Sequence, residues 1–277
     1  METINKITTS KQTTMYDHLC KMIIGNEEVL SRIIKAAVDE ANHLNVEEIR
    51  RLIKGVHIGD LIVNPHFHLV DKKGFIKDEG MVYYDILCYI DVPQEDGKNI
   101  RVYLNVEIQN NPYPGYSIIT RGYAYVSRIV SEQWGSEYDD KNYDGMKKVY
   151  SLWIMPKAPK RKDGHMNVYE TNERIICGTT VEEKEIYDKG VILAIYLNKE
   201  HDELLTPLMV LLNNVLDYKG KQRIIEEYGL NTKKIESEVK DMCDLGESIV
   251  LEARNEGKQI ERKEKNIAHV KKLMIGL

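Results

Sequence analysis

Two carboxylates and an amide stand at spacings that could hold a metal ion on neighbouring strands. Asp85 opens the apolar stretch Asp-Ile-Leu-Cys-Tyr-Ile, and Glu107 and Gln109 lie in the stretch Asn-Val-Glu-Ile-Gln-Asn. Side chains two residues apart in a strand share a face, so Glu107 and Gln109 point the same way. A carboxylate within a buried strand is costly unless it is paired or binds a metal. The pattern predicts a site for Mg²⁺ or Mn²⁺, with the main-chain carbonyl of Ile108 as a third oxygen ligand.

A divalent cation at such a site stabilises a pentavalent phosphate and activates an attacking water. The alternative is that Asp85 and Glu107 simply face solvent on a one-sided sheet. The apolar residues that surround them, among them Ile86, Leu104 and Val106, favour the paired site.

The elements that must position this pair are a hairpin, a helix and a further strand. The sequence predicts strands over residues 81–92 and 100–108, joined by a turn at Asp96-Gly97. An apolar stripe predicts a helix over residues 117–134. The apolar run 148–155 then predicts a strand parallel to an earlier one, because a helix precedes it.

Helices are predicted on either side of this unit. The pattern over residues 15–52 is helical, with Asn26 as an N-cap and a second short helix from about Val46. Two more strands are predicted at 168–177 and 191–197. The tail predicts helices over 204–216, 222–228 and 232–272, the last a charged helix typical of a coiled coil. The predicted domains are a flexible 1–14, a core over 15–200 and a helical extension over 201–277.

Bulk composition is that of a water-soluble globular protein. The 277 residues carry a formal net charge of −5, so a nucleic-acid site must be a local patch. The four cysteines have no CxxC spacing. The first residues lack the apolar core of a signal peptide, and no stretch has the length of a membrane span, which predicts a cytoplasmic protein without a membrane partner.

The motifs resemble the PD-(D/E)XK nuclease superfamily, and more narrowly its Rpn family of recombination-promoting nucleases and transposases. The resemblance rests on Tyr-Asp85-Ile-Leu, on Asn-Val-Glu107-Ile-Gln109, on the Tyr/Arg-rich segment 123–133 and on the strand from Val149. It covers roughly residues 15–200. It implies an α/β fold with a restriction-endonuclease-like core, an αβββαβ mixed sheet flanked by helices, followed by the helical C-terminal extension.

The resemblance implies that Asp85 and Glu107 are metal ligands and that Gln109 stands where the superfamily has lysine. Glutamine offers only an amide dipole to the attacking water, so the metal must carry more of the activation or a lysine elsewhere must reach the site. The superfamily often adds an acid from the first helix. Glu27, Glu28 and Glu40 are the candidates, and the sequence does not choose among them.

Four cations are candidate DNA contacts. Arg121 and Arg128 follow the site on the predicted helix, and Lys160 and Arg161 belong to the basic run 157–162. They could bind phosphates. A solvated helix face and a solvated loop explain them equally well.

The sequence thus predicts a magnesium- or manganese-dependent DNA endonuclease linked to transposition or recombination, forming a homodimer through its C-terminal helices. Two alternatives stay open. The chain could be a degenerate nuclease fold that only binds DNA, or a protein-interaction module organised by its charged tail.

Overall fold

A computed structural model gives the fold of the chain. It describes residues 14–59, 84–111, 113–162, 164–197, 208, 211–212, 218–230 and 232–275. Residues 1–13 of the predicted flexible N-terminus and most of the predicted helix 204–216 lie outside the described residues.

The N-terminal part of the described chain is helical, as predicted. Helix α1 covers residues 14–24, α2 covers Glu27–Ala37 and α3 covers Val46–Leu52. The Asn26 side chain accepts a hydrogen bond from the N–H of Glu28, which confirms it as the N-cap of α2. Such caps satisfy N–H groups that have no partner within the helix.

A six-stranded mixed sheet forms the centre of the molecule. Its strands are β1 (Ile53–Ile58), β2 (Ile86–Pro93), β3 (Asn99–Ile108), β4 (Lys148–Met155), β5 (Met166–Tyr169) and β6 (Gly190–Tyr196). The spatial order is β1-β2-β3-β4-β6-β5. Neighbouring pairs from β1 to β3 are antiparallel, β3–β4 and β4–β6 are parallel, and β5 is antiparallel to β6.

The β2–β3 hairpin follows the prediction closely. Its turn contains Gly97 at φ +80°, a left-handed conformation that glycine adopts without strain. The register places Ile86 opposite Val106 and Pro93 opposite Asn99. Strand β2 begins later than predicted, so that Asp85 immediately precedes it, and residues 81–83 lie outside the described chain.

Helix α4 (Ile118–Glu132) connects β3 to β4 and is capped by Ser117, whose side chain accepts from the N–H of Thr120. It packs on β4 and β6. An added Cβ at Gly122 would lie 2.8 Å from Ile192 Cγ2, and one at Gly190 would lie 2.5 Å from Val126 Cγ1. The two glycines therefore set how closely α4 approaches the sheet.

The strand prediction for 168–177 is wrong over most of its length. Strand β5 ends at Tyr169, and Ile175 and Ile176 are exposed, the latter at 85%. The apolar run there has no partner strand among the described residues. A short helix, α5 (Lys184–Tyr187), precedes β6.

Each face of the sheet carries its own apolar core. On one face, side chains such as Val106 and Leu152 pack with α1, α2 and the C-terminal helices. On the other face, Tyr103 and Trp153 pack with Tyr125 and Ile129 of α4. Glu107 lies on the α4 face, because it alternates with Val106 and Ile108 along β3.

Two helices end the described chain, α6 (Tyr218–Glu227) and α7 (Lys233–Ile275). Ile235, Val239 and Met242 at the start of α7 are buried in the core shared with the sheet. No helix within the described ranges is both long and apolar enough to cross a membrane.

Candidate active site

Asp85 and Glu107 face each other at the open end of the β2–β3 hairpin. The main-chain N–H of Asp85 donates to Glu107 Oε1 at 3.1 Å, and the N–H of Ile108 donates to Asp85 Oδ2 at 2.8 Å. The antiparallel register sets Ile86 opposite Val106. Asp85, which precedes Ile86, is therefore opposite Glu107, which follows Val106. The hairpin thus brings the two predicted carboxylates together.

A lysine from the first helix reaches the same position. Lys21 Nζ lies 2.8 Å from Asp85 Oδ1 and 2.9 Å from Asp17 Oδ2, one turn earlier on α1. Asp17 Oδ1 also accepts from the side-chain amide of Asn110 at 3.2 Å. The side chains of Lys21 and Asp85 are only 12% and 16% exposed, so solvent ions screen the Lys21–Asp85 ion pair weakly.

Burial dominates the electrostatics of the pair. It raises the pKa of Glu107 well above the ordinary value, and the neighbouring Asp85 carboxylate raises it further. Burial also raises the pKa of Asp85, while the Ile108 N–H and the Lys21 ammonium oppose the rise. Two acids held apart from water in this way bind a cation readily, because a cation offsets the cost of their charge.

The hydrogen bonds of Lys21 keep it protonated. Burial alone would lower its pKa, but the bonds to Asp85 and Asp17 raise the pKa above the usual lysine value. The site therefore already holds one positive charge of its own.

Gln109 lies on the same strand end but its side chain turns away from the carboxylates. Its amide nitrogen donates to the carbonyl of Asn111 at 2.7 Å in an exposed loop. Its main-chain N–H donates to the carbonyl of Ile154 at 2.8 Å and continues the β3–β4 pairing. In this conformation the amide contacts neither Asp85 nor Glu107 within the described chain.

The three first-helix acids singled out from sequence are engaged elsewhere or exposed. Glu28 pairs with Arg50, and Glu40 pairs with Lys148 at 3.0 Å and accepts from Tyr150 at 2.7 Å. Glu27 is exposed. The acid near Asp85 is Asp17, which sequence reasoning missed together with Lys21. The signal was available, because the two stand four residues apart on an otherwise apolar helix.

Arg121 packs into a cluster of aromatic side chains behind the site. Its guanidinium lies 5.1 Å from the ring centre of Tyr125 and 5.2 Å from that of Trp153. It donates to the hydroxyls of Tyr116 at 2.6 Å and Tyr125 at 2.7 Å. These contacts fix the Arg121 cation on the face of the sheet that carries Glu107.

The remaining predicted cations fall into two places. Arg128 is half-buried on α4 and lowers the pKa of Glu132 against the effect of burial. Lys160 and Arg161 are exposed in a single turn of 3₁₀ helix after β4. Because β3 and β4 are parallel, this turn follows the strand end that lies beside Ile108.

The residues present suit a magnesium-type ion. Asp85 and Glu107 supply hard oxygen ligands, and Mg²⁺ commonly binds through one or two carboxylates while keeping its waters. Over the described part of the chain no group of three or more histidine, cysteine, aspartate or glutamate side chains is disposed to hold a metal. A fully protein-enclosed site, such as structural zinc requires, is therefore not formed by these residues.

Comparisons with family models, with curated proteins and with solved structures return no match to this chain.

Proposed function

We propose that the chain is a metal-dependent endonuclease that hydrolyses phosphodiester bonds in DNA, with a restriction-endonuclease-like core. The observation that carries this proposal is the convergence of Asp85 and Glu107 across the hairpin, with a cation already held against Asp85. The order of elements supports it, since helices precede three antiparallel strands, then a helix, then a parallel strand. A link to transposition or recombination belongs to the same proposal and follows from the resemblance alone.

Asp85 and Glu107 would hold Mg²⁺ or Mn²⁺, with the carbonyl of Ile108 as a further oxygen. Such an ion supplies positive charge to the scissile phosphate and lowers the pKa of water. The protein fixes the two carboxylates through main-chain N–H donors, so their geometry does not depend on flexible side chains.

The hydrolysis joins one water oxygen to phosphorus and breaks one phosphorus–oxygen bond of the DNA backbone. The water gives up a proton to solvent, and the departing oxygen takes one up, which leaves a phosphate end and a hydroxyl end. Gln109 would orient the water or the phosphate after its side chain leaves the Asn111 carbonyl.

DNA is the proposed partner because cations gather at this end of the sheet. The exposed Lys160 and Arg161 follow β4 there, and Lys157 is close enough to influence the pKa of Cys20, the neighbour of Lys21. With a net charge of −5, the chain needs such a local patch to attract a polyanion. Arg121 and Arg128 are the weaker candidates, since both are partly buried among protein groups.

A homodimer through α7 completes the proposal. Apolar residues follow at steps of four and three at the start of this helix, and Ile260 and Ile267 stand seven residues apart further along it. Ile235, Val239 and Met242 are buried in the core, whereas Ile260 and Ile267 are 58% and 56% exposed. A second copy would cover the exposed part of this seam. Replacing Ile260 and Ile267 together with glutamate should halve the mass in solution, and an unchanged mass would count against the dimer.

One observation favours a second candidate, a degenerate nuclease fold that binds DNA without cutting it. The Gln109 amide is turned to Asn111 and contributes no positive charge. The two candidate functions share one fold. Metal binding by the carboxylates distinguishes them, because only the nuclease requires it.

A metal titration with a cleavage assay tests the proposal. The full chain should bind Mn²⁺ and relax supercoiled plasmid in its presence. Asp85→Asn should lose both, while Asp96→Asn, an exposed aspartate at the other end of the same hairpin, should keep both. Equal Mn²⁺ binding by the wild type and Asp85→Asn would contradict the assignment of the site.

A further inference from the structure

Lys21 is the one described cation in contact with Asp85, and nothing in its sequence surroundings marks it as part of the strand motif. It comes from α1, far from the hairpin in sequence, and bridges two carboxylates at 2.8 and 2.9 Å. Burial does not by itself distinguish Lys21, since Lys148 is equally buried and bridges Glu40 and Asp188. Lys21 is distinguished by its partner, because Asp85 is one of the two carboxylates that meet at the end of the hairpin.

A cation at this site would reduce the repulsion between the carboxylates and a DNA phosphate, and Lys21 supplies one. In their ionised forms Asp85 and Glu107 would repel the phosphate of an approaching DNA strand. A fixed cation beside them offsets this repulsion in a poorly solvated setting, where electrostatic interactions are strong. The Gln109 amide carries no charge and donates to Asn111, so it does not offset the repulsion.

We infer that Lys21 is the cationic residue of this site, which neutralises Asp85 and Asp17 in the metal-free protein and donates to a phosphate oxygen of bound DNA. This inference rests on the proposed nuclease function. Among the described residues the ammonium contacts Asp17 and Asp85, and its third N–H is available there for a substrate oxygen.

The same geometry gives Lys21 a second effect, on metal affinity. Its ammonium occupies one side of the Asp85 carboxylate, so a divalent ion that binds there meets a like charge close by. Removing the charge should strengthen metal binding and weaken catalysis, a combination that loss of structure does not produce.

The test uses the full chain with Lys21→Met. Mn²⁺ should bind about tenfold or more tightly to the variant than to the wild type. DNA cleavage at saturating Mn²⁺ should fall roughly 100-fold. Lys21→Arg, which keeps the charge, should recover part of the cleavage rate. Lys54→Met is the matched control, because Lys54 pairs at 3.0 Å with Asp91 at the opposite end of β2, and it should leave both quantities unchanged.

The outcomes of this experiment test the role of Lys21 separately from the nuclease proposal. Cleavage by Lys21→Met at the wild-type rate, or unchanged Mn²⁺ affinity, overturns the inference. If Lys21→Met does not fold, Lys21→Gln, which keeps hydrogen-bond donors for the two carboxylates, carries the same expectations. If the wild type binds Mn²⁺ but cuts no DNA, the nuclease proposal fails, while tighter Mn²⁺ binding by Lys21→Met would still support the role of Lys21 as the counter-ion of Asp85.

Discussion

The main-chain N–H of Asp85 donates directly to Glu107 Oε1 at 3.1 Å, so the backbone of one acid positions the carboxylate of the other. The Asp85 carboxylate in turn accepts from the Ile108 N–H and contacts the Lys21 ammonium. Glu107 is only 4% exposed, and a carboxylate so deeply buried is expensive to keep in a strand. Burial of Glu107 therefore costs stability, a cost that a cation bound under the proposed function would offset.

Two helical glycines differ in the space around them, and their substitution by alanine should therefore have opposite effects on stability. Gly122→Ala should lower the free energy of unfolding by about 1–3 kcal/mol, because the new Cβ would lie 2.8 Å from Ile192 Cγ2. Gly257→Ala in α7 should raise it by about 0.5–1 kcal/mol, since no atom lies within 4 Å of the added Cβ. Denaturant unfolding measures both. An equal response of the two variants would contradict the packing described.

Arg121 should contribute to stability through its planar guanidinium. Arg121→Lys keeps the charge but cannot donate to Tyr116 and Tyr125 together while lying against Trp153, and it should cost about 1–2 kcal/mol. Arg51→Lys is the control, as Arg51 is a surface residue with a 73% exposed side chain. Thermal unfolding of the two variants gives the comparison, and equal stability would show that the aromatic contacts contribute nothing.

Lys221 is fully buried, and its ammonium donates to the carbonyl of Leu211 and to the sulfur of Met242. No carboxylate pairs with it among the described residues. Burial lowers its pKa below the ordinary 10.5. The unfolded chain therefore binds more protons in the window below pH 10.5, and the stability of the wild type should rise with pH there. Lys221→Met should remove this slope and stabilise the fold at neutral pH by about 1 kcal/mol.

The neighbouring Lys219 is exposed and provides the control for Lys221. Lys219→Met should change neither the stability at neutral pH nor its pH dependence. Loss of stability in Lys221→Met would mean that the two hydrogen bonds outweigh the cost of burying the charge.

Glu132 gives a pH dependence of the opposite sign. Burial raises its pKa from 4.5 to about 7, against the effect of Arg128. The folded state then binds more protons than the unfolded state between these values, so stability should fall as the pH rises from about 4.5 to 7. Glu132→Gln should be more stable than the wild type by about 2 kcal/mol at pH 8. The gain should disappear at pH 4, whereas the exposed Glu95→Gln should show no gain at either pH.

The hairpin and α4 could be predicted from sequence because each carries its own local signal. Two apolar stretches and the Asp96-Gly97 turn between them identify β2 and β3, and the apolar stripe from Ser117 identifies α4. The parallel pairing of β4 with β3 also followed, since the intervening helix requires a crossover.

The sequence did not predict every residue of the site. Lys21 and Asp17 lie on α1, and the position of α1 against the hairpin depends on tertiary packing. The pattern of the strands therefore could not predict that these two residues reach Asp85. Periodicity also misled at residues 170–177, where the apolar Ile175 and Ile176 have the composition of a strand but remain exposed. Composition cannot distinguish a strand with a partner from an apolar segment without one.

Asp85 and Glu107 are the two carboxylates on which the proposed nuclease activity depends. The most direct measurement is plasmid cleavage by the wild type and by Glu107→Gln at saturating Mn²⁺, with folding of both checked by circular dichroism. Glu107→Gln keeps the shape of the side chain and removes its charge. The account predicts nicking by the wild type and a rate at least about 100-fold lower for the variant. Equal rates, or no cleavage by a folded wild type that binds Mn²⁺, would contradict it.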